Sequence, residues 1–186
     1  MPLRVIAGQL KGRRLRTVPG LRTRPTADRT REAIFNILGT AVSHAHLLDL
    51  FAGTGAFGIE ALSRGAASAF FVEADREAIN VLRGNIQTCG LAGSTGVLRW
   101  NAARNLNCLR NREPKFQLIF MDPPYGRGLV KPALSHLHAA DCVANGARLV
   151  IEHGADDPLP DPAPPYHLQD QRRYGKTLVS FFIYVI

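Results

Sequence analysis

The chain has 186 residues, 46% of them apolar, which is ample for one domain with a proper core. No apolar run approaches the length of a bilayer, and the opening "MPLRVIAGQLKGRR" lacks the apolar stretch of a secretion signal, so a cytoplasmic protein with no membrane role is expected. The net charge of +8 is concentrated: residues 1–39 hold nine Lys/Arg (Arg4, Lys11, Arg13, Arg14, Arg16, Arg22, Arg24, Arg29, Arg31) against Asp28 and Glu32, a local +7. A basic patch on an otherwise near-neutral chain calls for a polyanion, and nucleic acid leads because no amphipathic membrane helix accompanies it.

"LRVIAG" and "RRLRTVP" flank the turn-like "QLKG" and predict a short hairpin, followed by the irregular "GLRTRPT". "ADRTREAIFNILG" reads as a helix with Ala33, Ile34, Ile37 and Leu38 as its apolar stripe, Thr26 or Asp28 as its cap and Gly39 at its end. Residues 1–39 are therefore expected to form a basic, RNA-binding appendage, and residues 40–186 the main body.

Strands then alternate with helices. Residues 46–53, 67–75, 95–101, 115–121 and 146–154 read as strands, and residues 56–65, 76–90 and 129–140 as helices, with Gly65 and Gly90 closing the first two. This is the pattern of an α/β, Rossmann-like, mostly parallel sheet. The five prolines of "ADDPLPDPAPPYH" mark a loop, and "YHLQDQRRY" and "KTLVSFFIYVI" around Gly175 predict an antiparallel finish.

Cys89, Cys108 and Cys142 are widely spaced and form no CxxC, which fits reduced thiols. The histidine pairs His44/His46 and His136/His138 are two residues apart and would face different ways on a helix, so no metal site is expected.

Two loops carry chemistry. In "LLDLFAGTGAFGIEAL", Gly53, Gly55 and Gly58 give G-x-G-x-x-G between the first strand and its helix, where the chain turns sharply and a ligand can approach the backbone at a helix N-terminus. Tight strand-to-helix packing without a ligand would use the same glycines. Glu73, at the end of the second strand, can accept both hydroxyls of a ribose, while the neighbouring Asp75 suits a helix cap. Asn101, at the end of the third strand, can bond an adenine edge or form a turn. A nicotinamide dinucleotide and S-adenosylmethionine both fit such a site. Asp49 tips the balance, because it would repel a pyrophosphate and attract the ammonium of a methionine moiety.

The second loop is "MDPPY", residues 121–125, at the end of the fourth strand. Proline fixes φ and bars the preceding residue from the helical region, so the chain leaves the strand rigidly. An amino group conjugated to a base is a weak nucleophile; two acceptors aimed at its N–H bonds, the Asp122 carboxylate and the Pro123 carbonyl, can hold it and present its lone pair to a sulfonium methyl. Pro124 stiffens the exit, and Tyr125 can stack on the base.

"LDLFAGTGAFGIEALSRGA", "FVEAD" and "DPPY" resemble the class I S-adenosylmethionine-dependent methyltransferases that modify exocyclic amino groups. Together with "RVIAGQLKGRRL", "RPTADRTREAIFNIL" and "YGKT", they resemble over essentially the whole chain the RsmD family, bacterial 16S rRNA (guanine-N2) methyltransferases. The resemblance implies a seven-stranded sheet with an antiparallel last strand and a basic N-terminal hairpin. It implies methylation of a guanine at position 966 of 16S rRNA in the small ribosomal subunit; a monomer is expected. It also implies cofactor contacts at Asp49, Gly53, Gly55, Glu73 and Asn101, and catalysis by Asp122, Pro123, Pro124 and Tyr125. Lys11, Arg13, Arg14, Arg16 and Arg24 would meet the RNA, with "RPT" at residues 24–26 bordering the site. Phe57 stands where the family more often has Leu. A DNA adenine-N6 methyltransferase would use the same DPPY logic with a larger target-recognition insert, a protein glutamine methyltransferase would carry Asn in place of Asp122, a nicotinamide-dependent oxidoreductase would leave DPPY unexplained, and a silent RNA-binding module would keep only the basic arm.

Overall fold

The computed structural model describes residues 3–18, 25–155, 157, 159 and 165–186, with the backbone alone at 25–27. Its centre is one seven-stranded sheet in the order β3-β2-β1-β4-β5-β7-β6. The strands are β1 (His46–Leu50), β2 (Ser68–Glu73), β3 (Thr95–Arg99), β4 (Phe116–Met121), β5 (Val143–Gly154), β6 (Tyr166–Tyr174) and β7 (Thr177–Tyr184). The first five pair in parallel, and β7 runs antiparallel to both β5 and β6. The helices are α1 (Pro25–Leu38), α2 (Ala56–Ser63), α3 (Arg76–Thr88) and α4 (Val130–Ala140). No helix among the described residues is long and apolar enough to cross a membrane.

Continuous apolar runs such as "QLIFM" suit strands covered on both faces, and the sheet divides two buried clusters. Leu47, Phe71 and Leu118 belong to one with α1 and α2; Leu48, Val72 and Ile119 belong to the other with α4. Alternate residues of each strand thus serve opposite layers. In the first layer Phe57 lies between Phe120, at 3.4 Å between ring centroids, and Phe35, at 6.0 Å.

Several boundaries differ from the sequence reading. The expected hairpin is present but short: Arg4 bridges Arg14, Val5 N–H donates to the Arg13 carbonyl, Gly12 N–H to the Val5 carbonyl and Leu15 N–H to the Leu3 carbonyl, each at 2.9 Å, and α2 takes the donors of the connection between the two arms. The N–H groups of Ile6 and Ala7 go to the Glu60 carboxylate, and those of Gln9 and Leu10 to Ser63. On α1 the buried stripe is Thr30, Arg31, Ile34, Phe35 and Leu38, whereas Ile37 is exposed. The stripe is rotated because Arg31 turns inward toward Glu60 and Phe35 toward Phe57. Asp28 pairs with Arg31 at 3.1 Å, and the side chain of Thr26 lies outside the described residues. Strand β5 starts at Val143 rather than 146, since Gly146, at φ +79°, is a bulge inside the strand and not a turn before it.

Candidate active site

Strand order reverses beside β1, with β2 on one flank and β4 on the other, and ligands of open α/β sheets bind at the carboxyl edge there. Both loops singled out in the sequence open onto this edge. The three glycines of the first loop do different things. A Cβ on Gly58 would enter the Phe71 ring, and one on Gly55 would meet Leu82, so these two serve helix-to-strand packing. Gly53, at φ +53°, has no atom within 4 Å of the Cβ it lacks, and faces open space.

Carboxylates hold this loop from two sides. Glu73 accepts from Gly53 N–H at 2.8 Å through Oε2, and from Ala74 and Asp75 N–H at 2.7 and 2.8 Å through Oε1. Three of roughly four acceptor positions are filled, which leaves one on Oε2 for a ligand hydroxyl. Asp75 caps α3, accepting from Ala78 N–H at 2.8 Å. Asp49, only 2% exposed, accepts from Gly58 N–H at 3.1 Å through Oδ2, and its Oδ1 takes no hydrogen bond among the described residues. Burial raises the Asp49 pKa well above the usual 3.8; the bond from Gly58 lowers it and the charge of Glu73 adds to the rise. A cation brought to Oδ1 would relieve that unfavourable burial. Asn101 lies two residues beyond β3, exposed, with Oδ1 accepting from Ala103 N–H at 3.0 Å. That is the turn-forming geometry, and the NH₂ end makes no hydrogen bond among the described residues.

Asp122 follows β4 directly. Among the described residues neither its carboxylate nor the Pro123 carbonyl accepts a hydrogen bond, so both acceptors are available. Asp122 is exposed at the surface, and packing around it removes part of its carboxylate's hydration. That loss, followed by the charges of Glu152 and Asp49, raises its pKa well above 3.8. Tyr125 is 43% exposed. Its hydroxyl donates to Glu152 Oε1 at 3.0 Å and lies 3.5 Å from Thr177 Oγ1. Desolvation and then the charges of Asp122 and Glu152 push the phenol's pKa up, so it stays protonated as the donor.

Glu152 is a site residue that sequence reasoning missed. It stands near the carboxyl end of β5, and burial raises its pKa while the Tyr125 hydrogen bond opposes the rise. The signal was present: Glu73, Asp122 and Glu152 are each an acid at the end of an apolar strand. Asp157 was also missed, and its Oδ2 accepts from Gly126 N–H at 2.7 Å, fixing the turn after Tyr125. His153 secures that loop, with Nδ1 toward the carbonyls of Gly154 and Asp157 and Nε2 toward Ser180 Oγ, an arrangement that puts the proton on Nδ1.

The basic residues meet this edge through α3. Asn85, buried, accepts from Arg16 N–H at 2.7 Å and donates from Nδ2 to the carbonyls of Arg16 and Thr54, at 3.1 and 3.0 Å. One amide thus ties the basic segment to the glycine loop. Lys11, Arg13, Arg14 and Arg16 are all exposed, and none forms an ion pair among the described residues. Arg24 lies outside the described residues. So do the side chains of Pro25 and Thr26.

This sheet order, with a glycine loop after β1 and an acidic, proline-stiffened exit after β4, has the architecture of the class I methyltransferases. The profile of the family described as Conserved hypothetical protein 95 matches residues 3–183, and the chain belongs to that family, the RsmD family. It is 38% identical over 180 residues to YlbH of Bacillus subtilis (strain 168), covering 97% of this chain and 98% of that one. It is 35% identical over 182 residues to ribosomal RNA small subunit methyltransferase D of Escherichia coli (strain K12), covering 98% and 89%. The solved yhhF structure from Escherichia coli superposes with a TM-score of 0.87 at 34% identity, covering 100% of this chain and 99% of its own.

Proposed function

We propose that the protein transfers a methyl group from S-adenosylmethionine to the exocyclic N2 of a guanine in 16S rRNA, position 966 in the usual numbering, as part of the small ribosomal subunit. Residues 1–39 supply RNA affinity through Lys11, Arg13, Arg14, Arg16 and Arg24, and residues 40–186 supply catalysis. What carries the reading is one juxtaposition: the loop bound to Glu73 and the unsatisfied acceptors of Asp122 and Pro123 share the carboxyl edge at the switch point.

The cofactor, when bound, brings a methyl group on a cationic sulfur. Asp49 Oδ1 would hold its ammonium, Glu73 one ribose hydroxyl and the amide of Asn101 its adenine edge, with the open side of Gly53 leaving room for its approach and Gly55 shaping the turn. Asp122 and the Pro123 carbonyl orient the amine, Pro124 keeps them in place, and Tyr125 stacks on the base. A methylated amine would have to lose a proton, and Asp122, a carboxylate of raised pKa, would be a better acceptor for it than an ordinary one. An unpaired guanine in an RNA loop enters such a site at little stacking cost.

Labelled S-adenosylmethionine is incubated with small subunits from a strain lacking the modification, with naked 16S rRNA and with DNA. Label is expected on rRNA, at guanine N2 after nucleoside digestion. Label confined to DNA or protein, or none at all, would sink the reading. Asp122→Ala should abolish transfer while cofactor affinity stays within a few-fold.

A further inference from the structure

Among the described residues only two aromatic side chains are exposed, Tyr125 and Trp100, the latter at 36%. Tyr125 belongs to the site above, whereas Trp100 has no part in it. Trp100 follows β3 directly, and its backbone N–H donates to the Glu73 carbonyl at 2.9 Å, so it stands on the same carboxyl edge. Its indole N–H donates to the Asn105 carbonyl at 2.9 Å, and Arg104 N–H closes the intervening turn on the Asn101 carbonyl at 3.1 Å. The ring's one polar atom is thereby satisfied by protein, its orientation is fixed, and the part of its apolar surface that is not packed is left in water.

Cations surround it in the chain and on the rim. Arg99 precedes it, Arg104 shares its turn, and Arg76 opens α3 three residues after Glu73; all three are exposed. Arg99 Nε donates to the Ala74 carbonyl at 3.3 Å, and none of the three forms an ion pair among the described residues. The acids on this rim are Glu73, Asp75 and Glu77; Glu73 holds the glycine loop and Asp75 caps α3. The positive surface also continues. Arg83 is exposed two turns along α3 from Arg76, and Arg16 Nη1 lies 3.6 Å from where a Cβ on Gly84 would be. A track of guanidinium groups therefore leads from the basic segment along α3 to Trp100.

We infer that Trp100 is a second stacking platform, for an unpaired base of the RNA substrate, with Arg76, Arg99 and Arg104 on the phosphates of the flanking nucleotides. This rests on the rRNA reading above and extends the RNA surface beyond the N-terminal segment. Charge separates the RNA from the other purine at this edge. S-adenosylmethionine brings no phosphate, and its one anionic group, the carboxylate, belongs to the methionine end assigned to Asp49, so several free guanidinium groups around Trp100 exceed what it can use, whereas RNA offers a phosphate to each.

Trp100 is the only tryptophan of the chain, so its emission reports this site alone. The full chain is titrated with an unpaired RNA oligonucleotide, following tryptophan emission and, in parallel, the anisotropy of an end-labelled oligonucleotide. Saturable quenching is expected with RNA, and none with S-adenosylhomocysteine alone. Trp100→Ala should weaken RNA binding by about 5- to 150-fold, the range of one base–aromatic stack. Trp100→Phe loses the same Asn105 hydrogen bond but keeps a ring, and should stay within about threefold of the parent, so the contrast isolates stacking from loop integrity. RNA binding that leaves the emission unchanged, or equal affinities for the Ala and Phe variants, would overturn the inference and leave the rRNA reading standing. Quenching by S-adenosylhomocysteine alone would assign the ring to the cofactor and also overturn it. No RNA binding by either readout would refute both.

Discussion

Replacing Glu60 by Ala tests how the basic segment is attached. Glu60 sits on α2 at 0% exposure, and its carboxylate accepts from Ile6 N–H at 2.7 Å, Ala7 N–H at 3.0 Å and Arg64 Nε at 2.7 Å. Arg31, 3% exposed, approaches to 3.9 Å with a buried Nε that has no hydrogen-bond partner among the described residues; burial pulls its pKa down, against Asp28 and Glu60. Removing the carboxylate orphans two backbone donors and leaves a buried guanidinium with Asp28 as its remaining counter-charge. Deleting one member of a buried pair costs about 3–5 kcal/mol, a large share of the roughly 5–15 kcal/mol that holds a domain together. Urea unfolding followed by circular dichroism should show a loss in that range for Glu60→Ala. Because Arg31 supplies much of the penalty, Glu60→Leu combined with Arg31→Met should recover part of it. A loss below about 1 kcal/mol for the single variant, or simple additivity in the double one, would refute the view that this carboxylate anchors the segment.

The other expected outcomes concern the edge itself. Gly58→Ala should destabilise by about 1–3 kcal/mol through overpacking against Phe71, whereas Gly53→Ala should cost only the strain of its positive φ, about 1 kcal/mol, and instead weaken S-adenosylhomocysteine binding in calorimetry; the reverse order would contradict the division of the glycines. Asp122 has a folded-state pKa raised above the unfolded 3.8, so its contribution to stability is present in acid and is lost as pH rises through the raised value. Asp122→Asn should therefore be more stable than the parent at pH 8, with the gap in Tm closing on acidification, and a pH-independent gap would count against the crowding of carboxylates. Methyl transfer, which needs the ionised form, should fall on acidification at a pH above the usual carboxylate range, and a profile flat down to pH 4 would contradict this. Neutralising Arg13, Arg14 and Arg16 together should weaken RNA binding and flatten its log–log salt slope, by about 0.7 for each phosphate left without its cation; unchanged affinity would remove the segment from the interface.

What was legible in the sequence was whatever is decided within a few residues. The strand and helix alternation, the Asp75 cap, Gly65 and Gly90 past their helices and the rigid exit at residues 122–125 are all local chemistry. Gly146 misled because a glycine marks a turn and a bulge equally well, and only pairing with β4 tells them apart. The rotation of α1 was hidden for a related reason. Arg31 is a surface residue by type, and it turns inward only because a buried carboxylate on α2 awaits it. Glu152 is legible afterwards as an acid ending an apolar strand, but its bond to Tyr125 spans two strand ends that only the sheet order brings together.

Glu60, Ser63 and Asn85 share a physical reason for being polar and buried. The ladder within residues 3–16 is short, with cross-hairpin bonds from Val5, Gly12 and Leu15 N–H, so the backbone groups of the connection and of Arg16 need other partners. The helices supply them: Glu60 takes the donors of residues 6 and 7, Ser63 Oγ accepts from Leu10 N–H and donates to the Ala7 carbonyl, and Asn85 takes both groups of Arg16. Leu3, Val5 and Leu15 meanwhile bury their side chains in the same cluster as Phe71 and Leu118. The basic segment is therefore held by side chains that read its backbone, and its own charged side chains are left free to face a polyanion. A regular strand there would have needed no such partners. It would also have lost the Asn85 link that fixes Arg16 to Thr54, and with it the fixed distance between the cationic surface and the glycine loop.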